Sequence, residues 1–161
     1  VIDYYRKTKL VPFMENIFTE GERIDTINIG EINLGVGICF ESIFPDFSSE
    51  LVNKKANIIF FLSNNGMFGS TIAPYFTSVF SVFRAVETNK YVIQVMNTGI
   101  TQIVSPNGRI IKRTKIYEKN VLNYELPVIK AENNFYSKYG EYVFGLMSIL
   151  IGFYLVYLSS K

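Results

Sequence analysis

Residues 142–158 run for 17 positions without a charge, Tyr-Val-Phe-Gly-Leu-Met-Ser-Ile-Leu-Ile-Gly-Phe-Tyr-Leu-Val-Tyr-Leu, and nothing else in the chain restricts its fold as strongly. As a helix the run is about 26 Å long, or about 28 Å with Ser159 and Ser160. That is near the lower limit for crossing the apolar layer of a bilayer. Tyr136, Tyr139 and Tyr142 precede it and Tyr154 and Tyr157 close it, the placement of aromatic belts at two interfaces. A buried core helix would also be apolar. A membrane span is the better reading, because the run is apolar all round and follows a complete alternation of strands and helices. Lys161 behind it argues for a cytoplasmic C-terminus, with the globular part outside the cytoplasm.

The preceding residues read as layered α/β. Residues 1–5 look like the end of a strand and 6–9 like a polar turn. Residues 26–29 and 32–39 are two strands around a tight turn at Gly30-Glu31. Residues 44–55 have helical spacing, with Phe47, Leu51 and Val52 on one face. Residues 57–62, Asn-Ile-Ile-Phe-Phe-Leu, form the short apolar run of a strand buried on both sides. A turn-rich loop follows at 63–70, at a strand end where sites gather in open sheets. Residues 73–89 predict a helix with Pro74 in its first turn and Phe76, Val79, Phe80 and Phe83 on its buried face. Arg84 and Glu87 can pair along it as a structural ion pair. Residues 91–96 are the next strand, 101–105 and 109–113 a hairpin around Asn107-Gly108, and 121–126 a final edge strand. Residues 127–138 read as a linker. The basic cluster Lys112, Arg113, Lys115 and Lys119 is most simply a solvated edge; contact with anionic headgroups is the functional alternative.

Composition narrows the chemistry. The 161 residues include no histidine and one cysteine, and the net charge is +2. Ser-His, Cys-His and His-metal sites are excluded together. One cysteine makes neither an internal disulfide nor a thiolate zinc site. The charge is too small to argue for nucleic acid. The chain opens at Val1 and reads as part of a longer protein. Cys39 stands where an apolar strand, with Gly35 and Gly37 inside it, meets a helix start. A thiol there is either a small core residue or a nucleophile whose anion the helix-end N–H groups favour. Without an imidazole, acyl transfer on Cys39 needs a carboxylate base and a cation or N–H groups for the oxyanion. Lys7, the Phe40 backbone N–H, Glu15 and Glu41 are the candidates.

These segments resemble the nitrilase, or carbon–nitrogen hydrolase, superfamily. Tyr5-Arg6-Lys7-Thr8-Lys9-Leu10 with Val11-Pro12-Phe13-Met14-Glu15 resembles its lysine motif, and Ile38-Cys39-Phe40-Glu41 its nucleophile motif. Residues 63–69, Arg84-Ala85-Val86-Glu87 and Asn97-Thr98-Gly99 follow in the expected order. The Leu-Val-Pro-Phe segment, the Cys-aromatic-Glu triplet and the trailing apolar run are similar to the apolipoprotein N-acyltransferases within that superfamily.

The resemblance implies a nitrilase-like αββα sandwich, partial here, followed by one transmembrane helix. Residues 1–126 would be the later part of the catalytic domain, 127–138 a linker and 139–161 the membrane helix with a short tail. The implied reaction moves an acyl chain from a phospholipid to the N-terminal amine of a diacylglyceryl apolipoprotein, through a thioester on Cys39, without cofactor or metal. Lys7 is then the oxyanion lysine, Phe40 N–H the second donor, and Glu15 and Glu41 further required carboxylates. Asn64, Met67 and Phe68 are the implied substrate contacts. The implied location is the bacterial cytoplasmic membrane, multi-pass in the full protein, with the catalytic domain on the extracytoplasmic side. The family's general-base glutamate falls before the lysine motif, so these residues alone are expected to be inactive. Met14 replaces a usual glycine, and Asn65, Gly66 and Met67 replace Asp, Ala and Trp; Met67 can still line a lipid groove. Two other readings stay open: a soluble nitrilase-type amidase acting on a small carbon–nitrogen substrate, and a non-catalytic membrane-tethered module.

Overall fold

The computed structural model describes residues 3–127, 132 and 134–159, residue 141 by its backbone alone. Six strands form one sheet in sequential order: β1 (Thr26–Ile29), β2 (Ile32–Ile38), β3 (Ile58–Ser63), β4 (Tyr91–Met96), β5 (Gln102–Val104) and β6 (Ile110–Arg113). The central β2, β3 and β4 are parallel, and β1, β5 and β6 are antiparallel to their neighbours. Parallel neighbours need a crossover. Helix α1 (Pro45–Asn53) carries β2 to β3, and α2 (Ala73–Thr88) carries β3 to β4. Ile38 pairs with Leu62 and Leu62 with Val95, so these three strands end together.

The core lies between the sheet and its helices. Phe47, Leu51 and Val52 of α1 meet Ile59, Phe61, Val92 and Val104, with Ala56 and Ala85, all without solvent exposure. Each such large side chain contributes about 1.5–3 kcal/mol. Gly37 lets the layers close: a Cβ there would stand 2.6 Å from Phe61 and 2.8 Å from Phe47. On the opposite sheet face Leu62 and Val95 stay 44% and 39% exposed, so the two sides of this sheet are unequally covered.

Helix α2 sits the other way round from the reading of its apolar face. Phe76, Val79 and Phe83 are exposed and Phe80 is half-buried, while Ser78, Ser81, Arg84, Ala85 and Thr88 are buried. The sheet residues opposite are the reason. Gln102 is fully buried, and its Nε2 donates to the Ser78 carbonyl and to Ser81 Oγ, each at 2.6 Å. A buried amide needs partners, and small hydroxyl residues supply them while letting the helix come close.

Other boundaries shift for local reasons. Residues 3–5 form no strand; Tyr5 instead packs its ring edge-on to Phe47. The first two residues of that expected strand lie outside the described residues. Cys39 leaves β2 and opens a 3-10 turn, Cys39–Ile43, so α1 starts only at Pro45. Residues 121–126 form no edge strand; the Asn123 carbonyl accepts the Lys112 ammonium at 2.6 Å. The expected linker ends early, because helix α3 (Phe135–Ser159) begins inside it. Asn134 caps that helix, its Oδ1 accepting the Ser137 N–H at 2.8 Å. Residues 128–131 and 133 of the linker, and the Lys161 tail, lie outside the described residues. Tyr142–Ser159 is long and apolar enough to cross a membrane, and none of it is buried.

Candidate active site

Cys39 is a free, half-buried cysteine with φ +53°. That left-handed conformation costs a residue with a Cβ about 1–2 kcal/mol. Such strain collects where a side chain must be aimed out of the regular alternation. Here it falls at the carboxyl end of β2, beside the end of β3.

Glu41, two residues on, holds the surroundings. It is fully buried and accepts five hydrogen bonds. Oε1 takes the Tyr5 hydroxyl at 2.7 Å, the Thr8 N–H at 2.6 Å, the Thr8 hydroxyl at 2.8 Å and the Lys9 N–H at 3.2 Å. Oε2 takes the Ile38 N–H at 2.6 Å. One carboxylate therefore spans from the backbone beside Cys39 to the backbone beside Lys7. Bonds to an ionised acceptor are the strong ones. Burial pushes the Tyr5 hydroxyl well above the ordinary phenol range, so it remains a donor.

Lys7 is delivered by this bracket. Its side chain is 10% exposed, and Nζ donates to Glu15 Oε2 at 2.6 Å. The same oxygen accepts the Val11 N–H at 2.7 Å. Burial pushes the Glu15 carboxyl up, but the hydrogen bonds from Lys7 and Val11 outweigh it and hold it below the ordinary carboxylate range. The loop that returns Glu15 to Lys7 points its apolar residues outward: Phe13 is 94% and Ile17 88% exposed, and Met14 and Phe18 are exposed beside them. Phe13 also has positive φ, at 66°.

The third part is the loop after β3, which contains a 3-10 turn at Gly66–Phe68. Asn64 Oδ1 accepts the Gly66 N–H at 3.0 Å and Asn97 Nδ2 at 2.7 Å. Buried Asn65 donates its N–H to Asn97 Oδ1 at 3.0 Å and its Nδ2 to Thr77 Oγ1 at 3.2 Å. A Cβ on Gly99 would stand 2.7 Å from that Nδ2. The loops after β3 and β4 are thus laced together at one end of the sheet. Met67 is exposed and Phe68 half-buried on their surface.

The candidate residues therefore fall into two linked groups. Lys7, Glu15, Cys39, Phe40 and Glu41 are joined through the Glu41 bracket, and Asn64, Met67 and Phe68 lie on the loop that ends the neighbouring strand. The sequence reading set Tyr5, Thr8, Asn65 and Asn97 inside its motifs but gave them no role at the site. Their signal was weak, since single hydroxyls and amides show their partners only after folding. Among the described residues no group of three or more histidines, cysteines or carboxylates could hold a metal.

Residues 1–133 match the carbon–nitrogen hydrolase family. The chain belongs to that family. It is 33% identical over 145 residues to an apolipoprotein N-acyltransferase of Geobacter metallireducens, covering 86% of this chain and 28% of that protein. It is 34% identical over 164 residues to an apolipoprotein N-acyltransferase of Thermotoga maritima, covering 91% and 32%. The chain thus spans about a third of the length of these curated relatives. Among solved structures it is similar to Nit3 of Saccharomyces cerevisiae, from branch 10 of the nitrilase superfamily. That match has a TM-score of 0.65 at 26% identity over 74% of this chain and 46% of the other. The fold is nitrilase-like and α/β. As a carbon–nitrogen hydrolase domain it is partial: one sheet with its helix layer, followed by an apolar helix.

Proposed function

We propose that this chain carries the thiol half of an N-acyltransferase that moves an acyl chain from a phospholipid to the N-terminal amine of a diacylglyceryl apolipoprotein. The observation that carries the reading is the Glu41 bracket. It fixes the strained Cys39 turn against the segment bearing the Lys7–Glu15 pair, in a chain that also holds an apolar helix long enough to cross a bilayer.

In the first step Cys39 Sγ attacks the phospholipid ester carbonyl. The thiol proton passes to a carboxylate base, which the family resemblance puts before the Lys7 motif. The Lys7 ammonium and the Phe40 N–H hold the oxyanion. First-turn N–H groups of a helix have no acceptor within the helix, which leaves that of Phe40 suited to this task. The C–O bond breaks, the lysophospholipid leaves as an alcohol with a proton, and the acyl group stays on sulfur. In the second step the apolipoprotein amine attacks the thioester, an amide forms, the amine loses a proton and the thiol returns.

Glu15 restrains Lys7 in this scheme, and Glu41 positions both segments through the five N–H and O–H donors it accepts. Phe13, Met14, Ile17 and Phe18, with Met67 and Phe68, offer the apolar surface that an acyl chain needs. The globular part then lies on the extracytoplasmic side, with α3 in the cytoplasmic membrane.

The test is transfer by the full-length protein in phospholipid vesicles to a synthetic peptide beginning with diacylglyceryl-cysteine. N-acylated peptide is expected from the parent protein and none from Cys39→Ala. Equal product from both would overturn the reading.

A further inference from the structure

Residues 109–125 carry five basic and two acidic side chains, a net charge of +3, so the rest of the chain sums to −1 against a total of +2. The structure divides this basic cluster. Arg109 closes the hairpin turn, its carbonyl accepting the Ser105 N–H at 2.9 Å. The Lys112 ammonium is spent on the Asn123 carbonyl at 2.6 Å. Strand β6 is the sheet's edge, and charge on an edge discourages pairing with another strand. That accounts for Lys112. It does not account for Lys115 and Lys119, which lie beyond the strand. Arg113, Lys115 and Lys119 are exposed. The ion pairs among the described residues are Lys7–Glu15, Lys9–Asp46, Arg23–Asp25 and Arg84–Glu87, and none uses these three cations. Glu118, the carboxylate in their loop, accepts the Lys115 N–H at 2.7 Å and Asn120 Nδ2 at 2.9 Å.

This loop is stitched to the site's end of the sheet. The Thr114 N–H donates to the Thr101 carbonyl and the Tyr117 N–H to the Thr98 carbonyl, each at 2.9 Å. Thr98 follows Asn97, whose side chain bonds Asn64 and Asn65 in the loop after β3. Tyr117 is 54% exposed, at φ +58°. Met67 and Ile72 after β3, and Phe13 and Ile17 on the loop bearing Glu15, are exposed at the same end. We propose that Arg113, Lys115, Tyr117 and Lys119 form a docking surface for the anionic headgroups of a bilayer, which holds the Cys39 end of the sheet against the membrane. The charge selects an anionic partner. The tyrosine and the apolar side chains beside it select a lipid interface over an acidic protein segment, since aromatic rings favour headgroup depth and basic residues favour the charge there. Each basic residue near such a surface strengthens the contact about fivefold, within a Debye length. The surface rests on the acyl-transfer reading for its purpose, and on placement and charge alone for the contact.

Hydrogen–deuterium exchange on the full-length protein in lipid nanodiscs tests it. The amides of residues 114–119 should exchange about fivefold slower in phosphatidylglycerol than in phosphatidylcholine at low salt. The difference should vanish at about 1 M salt, where charges are screened beyond about 3 Å. Lys115→Glu should at least halve it. Arg109→Glu, the same change in net charge at the other end of the hairpin, should leave it in place. Equal exchange in the two lipids overturns the surface, as does a difference that survives in Lys115→Glu or falls equally in Arg109→Glu. Protection by a poly-glutamate peptide added to phosphatidylcholine nanodiscs, matching that in phosphatidylglycerol, would assign the loop to an acidic protein segment and overturn it equally. The readout needs no turnover: a protein that shows the lipid dependence but forms no phospholipid-derived thioester would lose the acyl-transfer reading and keep this surface.

Discussion

Glu41 and Thr8 are joined twice: the Thr8 N–H and hydroxyl both donate to Glu41 Oε1, at 2.6 and 2.8 Å. The two residues stand 33 positions apart, so this contact closes the site. Glu41→Gln keeps the shape but turns an amide N–H₂ toward one set of donors. It is expected to lose about 2–4 kcal/mol, because buried donors are left unpaired. Urea unfolding measures this. A loss below about 0.5 kcal/mol, the range of a surface change, would rule out the bracket.

At Cys39 the backbone favours glycine. Cys39→Gly is expected to be about 1 kcal/mol more stable than Cys39→Ala, since only alanine retains the left-handed strain. Thermal unfolding of the two variants gives the comparison. Alanine equal to or better than glycine would show that the turn carries no strain.

The Lys7–Glu15 pair sets a pH dependence. The folded Glu15 carboxyl lies below its ordinary range, so the unfolded chain binds its proton first as pH falls. The pair's stabilisation is therefore complete above the ordinary carboxylate range and is lost as pH falls through the depressed folded value. In Lys7→Met the main opposing hydrogen bond is gone and burial still pushes upward, so the Glu15 titration should move up. Carboxyl NMR on the two proteins reads this directly, and an unmoved Glu15 would mean the pair does not exist in solution.

Helix α2 supplies a test of which face is buried. Phe83→Ser on the exposed side should change stability by no more than about 0.5 kcal/mol. Ser81→Leu should cost about 1–3 kcal/mol, since it overfills a closed interface and removes an acceptor of Gln102. The reverse order would put the phenylalanines back inside.

Much of the fold was legible because burial writes itself into short apolar runs. Residues 57–62 gave β3 within one position, and the Asn107-Gly108 turn gave the last hairpin. The orientation of α2 was not legible. Its hydrophobic stripe points outward, and the fact that decides the matter, a buried Gln102 on a distant strand, follows only from pairing. The missing strand at 121–126 has a similar cause, since strand composition there meets no ladder. At the site the motifs marked Lys7, Glu15, Cys39 and Glu41, because rare residue types in sequence order carry information. They did not show that Glu41 Oε1 gathers four donors, or that Tyr5 and Thr8 supply three of them. Donor and acceptor roles appear only once distant backbone groups converge.

The most direct measurement is intact-protein and peptide mass spectrometry of the full-length protein after incubation with a phospholipid of defined chains. An added mass equal to one acyl chain, mapped to Cys39 and released by hydroxylamine or by a diacylglyceryl-cysteine peptide, is expected. Its yield should fall at least tenfold in Lys7→Met, the scale for removing one oxyanion donor. Transfer to the peptide with no acyl mass ever found on Cys39 would contradict the thioester on which the proposed chemistry stands.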